Sequence, residues 1–129
     1  MSRIKICGLR RPEDIAAVNE ARPDYCGFIV EYPKSRRSID RATLRELVRG
    51  LREKIVPVGV FVNAPKELVA ELLEEGTIQI AQLHGQESQE YIQELKVLTE
   101  KPLIQAFSIK SKEDVERARE SVADYILLD

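Results

Sequence analysis

Short apolar runs alternate along the chain with longer segments in which apolar residues recur every three or four positions. Six of the short runs are predicted as β-strands. Several are apolar at consecutive positions, which is typical of parallel strands covered by helices on both faces. The predicted strands are residues 4–7, 25–30, 56–62, 78–83, 103–107 and 125–128.

The segments between these strands place their apolar residues on one helical stripe, as helices that pack against a sheet do. The stripes contain Leu44, Leu47, Val48 and Leu51; Leu68, Val69, Leu72 and Leu73; Tyr91, Ile92, Leu95 and Leu98; and Val115, Ala118 and Val122. Local signals agree with these helices. They are Pro12 and Pro65 in first turns, Asp40 and Ser88 as N-caps, Ser111 with Asp114 as a capping box, and Gly76 as a helix end.

The resulting order is six strands alternating with five helices, which indicates parallel strands joined by right-handed connections. Two architectures fit this order: an open doubly wound sheet and an arc of a (β/α)₈ barrel. The 129 residues contain no composition shift or Pro/Gly-rich linker. We therefore expect one domain over residues 1–129.

The charge balance excludes some classes of partner. The chain has 20 Lys and Arg against 22 Asp and Glu, a formal net charge of −2, and the two signs are interleaved. A protein that binds nucleic acid or an anionic membrane usually carries a concentrated basic excess, so neither partner is expected. No apolar run is long enough to cross a bilayer, and no secretory signal is recognised, which favours a cytoplasmic location. Cys7 and Cys26 are expected to be free thiols.

Polar residues follow the predicted strands at the end where both candidate architectures bind ligands. Cys7 is either a general base or a small buried residue, and Asp129 is either a general acid or a solvated carboxylate. His84 is the single histidine, and without ligand-spaced partners it indicates hydrogen bonding or packing more than a metal site. Cys26 lies at the opposite end of its strand and is assigned to packing.

Residues 32–38 form a predicted loop that contains Lys34, Arg36 and Arg37. Such a cluster is usually solvated surface. At the ligand-binding rim it could instead hold an anionic group, because a guanidinium pairs with a carboxylate through two parallel hydrogen bonds. The chain contains no P-loop, and no G-x-G-x-x-G follows the first strand, which argues against the usual nucleotide-binding enzymes.

Five motifs together resemble the phosphoribosylanthranilate isomerase family, and the resemblance runs from Arg3 to Asp129. The motifs are KICGL at residues 5–9, GFIV at 27–30 with SRRSI at 35–39, VGVFVN at 58–63, QLHG at 82–85 and DYILLD at 124–129. Their order and spacing are more specific than any single motif. The resemblance implies a (β/α)₈ barrel of the TIM type, incomplete here as (βα)₅β₆.

The resemblance also implies an activity, the Amadori rearrangement of N-(5-phosphoribosyl)anthranilate to the corresponding 1-deoxyribulose phosphate in tryptophan biosynthesis. Asp129 would protonate the furanose ring oxygen, and the Cys7 thiolate would remove the proton from C2. Arg37 matches the arginine that binds the anthranilate carboxylate, while Gln82 and His84 match site-lining positions. The implied partner is a small phosphosugar, and no metal or organic cofactor is implied.

The chain departs from the family because it lacks the loops after strands seven and eight that hold the substrate phosphate. We expect it to be part of a longer chain, although a second copy or a second polypeptide could also complete the barrel. The isolated 129-residue chain is expected to have no detectable activity.

Two competing functions follow from the same sequence. One is a non-catalytic half-barrel that self-associates through its open edges or pairs with another polypeptide. The other is an open flavodoxin-like sheet that acts as a receiver or binding module, and it is disfavoured because Cys7 and Gly8 stand where that class has acidic residues.

Overall fold

A computed structural model describes residues 2–129, and it contains seven strands and five helices in that range. The strands are β1 (Lys5–Cys7), β2 (Tyr25–Val30), β3 (Ser38–Ile39), β4 (Val56–Phe61), β5 (Ile80–Leu83), β6 (Leu103–Phe107) and β7 (Tyr125–Leu128). The helices are α1 (Pro12–Ala21), α2 (Arg41–Arg49), α3 (Lys66–Glu74), α4 (Gln89–Leu98) and α5 (Lys112–Arg119).

All strand pairs are parallel, and the order across the sheet is β1-β2-β4-β5-β6-β7, with the short β3 paired to β2. Each long strand therefore lies beside the next long strand in the chain. A doubly wound sheet reverses its strand order at a switch point, and this sheet has no reversal. The predicted (β/α)₈-type arc is confirmed, and the flavodoxin-like alternative is wrong.

The helix signals read from the sequence are confirmed at most positions. Asp40 and Ser88 cap α2 and α4 by accepting hydrogen bonds from backbone N–H groups. Ser111 and Asp114 form a capping box at α5, Pro12 begins α1, and Gly76 follows α3 with a φ of 85°. Pro65 is the N-cap of α3, one position earlier than predicted.

Several local features differ from the sequence prediction. The two-residue strand β3 lies within a segment too short to show a periodic pattern, so it was not predicted. Helix α2 ends at Arg49 and helix α5 ends at Arg119, which leaves Leu51 and Val122 beyond the helices that their apolar stripes indicated. Leu98, the last residue of α4, is 43% exposed, although its apolar stripe predicted that it packs against the sheet.

The main hydrophobic core lies between the sheet and the helices. Phe28, Phe61 and Leu83 reach it from the strands, and Leu72 and Leu95 reach it from the helices. The opposite, concave face of the arc carries Lys5, Val58 and Gln82, and a cavity of about 440 Å³ lies against it. Alternation along each strand sends neighbouring side chains to these two different environments.

The two outer strands of the arc have one strand neighbour each, since β1 pairs with β2 and β7 pairs with β6. Large apolar side chains are exposed beside these edges: Ile4, Tyr125, Ile126, Leu127 and Leu128. Among residues 2–129, no helix has the length and apolar character needed to cross a bilayer.

The core assignment predicts a contrast between two substitutions in α4. Leu95 is fully buried in the core, whereas Val97 is 86% exposed. Leu95→Ala should lower the free energy of unfolding by about 2–5 kcal/mol because it removes buried methyl groups and leaves a cavity. Val97→Ala should change it by no more than about 0.5 kcal/mol. Urea unfolding of both variants checks this, and equal losses would contradict the placement of the core.

Candidate active site

The carboxyl ends of the parallel strands form one rim of the arc, which we call the carboxyl rim and which includes Gly8, Asn63, His84, Ser108 and Asp129. Its positions follow β1, β4, β5, β6 and β7 in turn. All five predicted site residues lie on this rim or on the concave face just below it. They are Cys7, Arg37, Gln82, His84 and Asp129.

Cys7 ends β1 and its side chain is exposed. It pairs with Gly27 of β2, and a Cβ at position 27 would lie 2.7 Å from the Cys7 Sγ. A side chain at position 27 would therefore displace the thiol. Cys26 lies on the other face of β2, fully buried in the core, as predicted. Both thiols are free.

A turn and β3 bring Arg37 to Gly8, the residue that follows Cys7. The Arg37 N–H donates to the Ser35 Oγ at 3.2 Å, and the next residue, Ser38, begins the strand that pairs with β2. The Arg37 side chain then crosses Gly8, where a Cβ would lie 2.7 Å from the Arg37 Cδ. Gly8 also has a φ of 85°, so the position favours glycine for two reasons. The guanidinium is thereby held one residue from Cys7.

Gln82 and His84 lie two positions apart at the end of β5 and share a face. The Gln82 Nε2 lies 3.3 Å from the His84 Nδ1. The Gln82 Oε1 accepts a hydrogen bond from the Lys5 Nζ on β1. Because β2 and β4 lie between these strands, the Lys5 side chain reaches across the concave face. Sequence reasoning assigned no role to Lys5.

Asp129 follows β7 and is fixed through its backbone. Its N–H donates to the Phe107 carbonyl at 2.8 Å, and its carbonyl accepts from the Ile109 N–H at 2.9 Å. Its side-chain Oδ2 lies 3.7 Å from the His84 Nε2. The structure therefore brings the candidate acid to His84, and it places the Arg37 side chain over Gly8, the residue after the candidate base.

Glu87 supports the rim and was not singled out from the sequence. Its buried carboxylate accepts hydrogen bonds from the Asn63 N–H at 2.7 Å and the Gly85 N–H at 2.9 Å. The Asn63 Oδ1 in turn accepts from the Gln86 N–H at 2.9 Å. These bonds join the loops after β4 and β5, which fixes the backbone beside His84. No periodicity marks such a loop contact in the sequence.

Two aspartates hold the loops after β1 and β6 in the same way. Asp14 accepts hydrogen bonds from the Arg10 and Arg11 N–H groups, and Asp114 accepts from the Lys110 and Ser111 N–H groups. The backbone hydrogen bond from Arg10 is the largest cause that lowers the pKa of Asp14, and that from Lys110 is the largest for Asp114. Both carboxylates therefore stabilise the loops that follow site strands.

A cavity of about 740 Å³ opens on the rim between the loops after β4, β5 and β6. Its volume is within the range of small-molecule sites. His84 is the one predicted site residue that lines it, while Gln82 lines the cavity on the concave face. Within residues 2–129, no three His, Cys, Asp or Glu side chains converge in a way that could hold a metal ion.

The different environments of the two cysteines predict selective alkylation. Burial raises the pKa of the Cys26 thiol to about 12, so this thiol stays neutral in the folded chain at pH 8.5. We expect iodoacetamide to add one group per folded chain, at Cys7, and two in denaturant, as read by mass spectrometry. Cys26→Ala should keep the single adduct and Cys7→Ala should lose it. Rapid modification of Cys26 in the folded chain would contradict the assignment.

The same shift gives a pH dependence of stability. The folded-state pKa of Cys26 lies above its ordinary value of 9.0. The neutral thiol therefore contributes fully to the free energy of unfolding below pH 9.0, and this contribution declines as the pH rises toward about 12.

Comparison with known proteins identifies the family of this chain. A sequence model of N-(5'-phosphoribosyl)anthranilate isomerase matches residues 4–129. The N-(5'-phosphoribosyl)anthranilate isomerase of Acetivibrio thermocellus is 43% identical over 135 aligned positions, which cover 100% of this chain and 61% of that protein. The chain thus spans about three fifths of the length of the curated relatives it matches.

Two solved structures have the same fold. Phosphoribosyl anthranilate isomerase in complex with reduced 1-(o-carboxyphenylamino)-1-deoxyribulose 5-phosphate has a TM-score of 0.86 and 35% identity, and covers 100% of this chain and 65% of its own. Monomers generated from the dimeric Thermotoga maritima enzyme have a TM-score of 0.83 and 35% identity, with the same coverage. On this evidence the chain belongs to the N-(5'-phosphoribosyl)anthranilate isomerase family.

Proposed function

We propose that the protein containing this chain catalyses the Amadori rearrangement of N-(5-phosphoribosyl)anthranilate to 1-(2-carboxyphenylamino)-1-deoxyribulose 5-phosphate, a step of tryptophan biosynthesis. The observation that carries the proposal is the pairing of functional groups on one rim. The Cys7 thiol ends β1, the Arg37 side chain lies over the next residue, Gly8, and the Asp129 carboxyl lies 3.7 Å from the His84 ring. Membership of the family supports the same reaction.

The reaction needs an acid and a base that act on one sugar. Asp129 in its protonated form donates to the furanose ring oxygen, the ring opens, and the substrate nitrogen forms a protonated Schiff base with C1. Cys7 as thiolate then removes the proton from C2, and the electron pair moves onto nitrogen to give an enolamine. Tautomerisation of this enolamine gives the ketose, so the reaction is a net isomerisation.

Arg37 is proposed to bind the anthranilate carboxylate. Its guanidinium can pair with a carboxylate through two parallel hydrogen bonds. Its position over Gly8 places this contact one residue from the thiol, so that binding of the aromatic ring would direct C2 toward Cys7. Gln82 and His84, at the end of β5, are proposed to line the side of the site that faces Arg37 and β1.

Two further proposals concern the location of the reaction and the extent of the domain. A phosphorylated sugar carries charge and crosses membranes poorly, so we propose that the reaction takes place in the cytoplasm where such metabolites are made. We also propose that residues 1–129 form one partial barrel domain, since the hydrophobic core is continuous along the helices and strands.

Activity can be tested in a chimaera that joins this chain to the remaining part of the Acetivibrio thermocellus relative. We expect the chimaera to restore growth of a tryptophan-requiring strain that lacks the isomerase. Cys7→Ala and Asp129→Asn should each lower kcat by about 10²–10⁴-fold, because each removes a proton-transfer group. Arg37→Ala should mainly raise KM. The 129-residue chain alone should show no measurable turnover.

Cys26→Ala is the matched control, because it removes a thiol that lies outside the site. It should keep turnover within a few-fold of the unmodified chimaera. Full activity in a folded Cys7→Ala chimaera, or in the Asp129→Asn chimaera, would overturn the assigned roles.

A second candidate function is a non-catalytic module that self-associates through its edges. The apolar side chains along β7 favour it, since Tyr125 is 61% exposed and Leu128 is 55% exposed on a strand with one neighbour. Unpaired edges of this kind can pair with another chain. The related Thermotoga maritima protein is described as dimeric.

This candidate predicts a concentration-dependent dimer or larger assembly of the 129-residue chain in sedimentation velocity. Ile126→Lys should shift the population toward monomer, since a charge on an edge strand opposes strand pairing. The control is Val97→Lys, which adds the same charge on the exposed side of α4 and should leave the assembly unchanged. A chain that stays monomeric at all concentrations would exclude self-association through β7.

A further inference from the structure

Polar side chains form a continuous line across the concave face of the arc from β1 to β7. The Lys5 Nζ donates to the Gln82 Oε1, and the Gln82 Nε2 lies 3.3 Å from the His84 Nδ1. The line ends at the carboxyl rim, where the His84 Nε2 lies 3.7 Å from the Asp129 Oδ2. Lys5 is therefore connected to the proposed acid, although the two belong to the outer strands at opposite edges of the sheet.

The chemistry of these groups fixes the direction of each hydrogen bond. A lysine ammonium can only donate, so the Gln82 amide must present its oxygen to Lys5. The amide NH₂ group then faces His84, and the Nδ1 of the imidazole must accept from it. In the neutral ring this leaves the proton on Nε2, the nitrogen that faces Asp129.

Burial makes the alternative amide orientation unfavourable. Gln82 is only 3% exposed, so water has little access to form hydrogen bonds with an amide group that lacks its protein partner. A reversed amide would set its NH₂ against the Lys5 ammonium and its oxygen against the lone pair of the His84 Nδ1. Both contacts would lose a hydrogen bond in a site where unpaired polar groups are costly.

We propose that Lys5 is a positioning residue that acts through Gln82 to hold His84 in the Nε2–H tautomer, with that N–H directed at the Asp129 carboxyl. The inference deepens the proposed function and rests on it only for the role of Asp129 as the acid. When Asp129 gives its proton to the sugar, the imidazole N–H favours the carboxylate that remains. The Lys5 Nζ bonds to Gln82, and its effect on the acid therefore passes through the Gln82 amide and the His84 ring.

The tautomer can be measured directly because the chain contains one histidine. Nitrogen-15 NMR separates protonated from unprotonated ring nitrogens, and the spectrum of the 129-residue chain holds a single imidazole. At a pH where the ring is neutral, we expect a protonated Nε2 and an unprotonated Nδ1. Lys5→Met should shift the tautomer ratio by about fivefold toward Nδ1–H, the effect of losing one hydrogen bond of about 1 kcal/mol.

Two further variants test the direction of the effect. Lys5→Arg keeps a donor to the Gln82 oxygen and should restore most of the original ratio. Gln82→Glu replaces the NH₂ by a second acceptor oxygen, so that the Nδ1 must donate. This variant should invert the ratio in favour of the Nδ1–H tautomer, a result that a purely structural role of position 82 does not produce.

Lys101→Met is the matched control, since the Lys101 Nζ lies 3.4 Å from the Gln79 Oε1 at the other end of β5. It removes a second lysine–glutamine contact and should leave the His84 tautomer unchanged. Backbone amide spectra verify that each variant is folded.

The proposal is overturned by a wild-type chain whose imidazole is Nδ1–H or shows the tautomer mixture of an unfolded peptide. An unchanged ratio in folded Lys5→Met also overturns it. No substrate is used in the measurement, so its failure is separate from a failure of the isomerase assay.

Discussion

Parallel pairing between strands that follow one another along the chain is the constraint on which the site depends. Because every long strand runs in the same direction, every carboxyl end reaches the same rim. The Cys7 thiol and the Asp129 carboxyl thus share a rim although β1 and β7 are the outer strands of the arc. The backbone ladder sets this arrangement without any direct contact between the two groups.

Small residues and loop carboxylates fix the side chains and loops at the rim more closely than strand pairing alone does. Gly27 leaves room for the Cys7 sulfur, and Gly8 leaves room for the Arg37 side chain. Glu87 and Asp14 bind the N–H groups of loops that would otherwise have no backbone partner. The proposed site residues are consequently carried on short, restrained segments, as the proposed acid–base chemistry requires.

The concave face differs from the outer core in chemistry. Apolar side chains fill the layer between the sheet and the helices, whereas Lys5 and Gln82 place a charge and an amide on the inner face. Each of these polar groups has a partner, and no buried side-chain nitrogen or oxygen in the part of the chain described by the structure lacks one. The inner face therefore combines apolar residues such as Val58, Ile80 and Ile104 with polar groups that support the rim.

The sequence alone determined the strand and helix order, because hydrophobic period and capping residues act over short distances. It located Asp40, Ser88 and Gly76 correctly, and the family motifs indicated Cys7, Arg37, Gln82, His84 and Asp129 as site residues. Tertiary structure decided the sheet order, the seating of Arg37 over Gly8, and the contacts of Glu87 and Lys5. Those features join residues from different strands and loops, and a contact such as Lys5 with Gln82 spans 77 positions without a local pattern to reveal it.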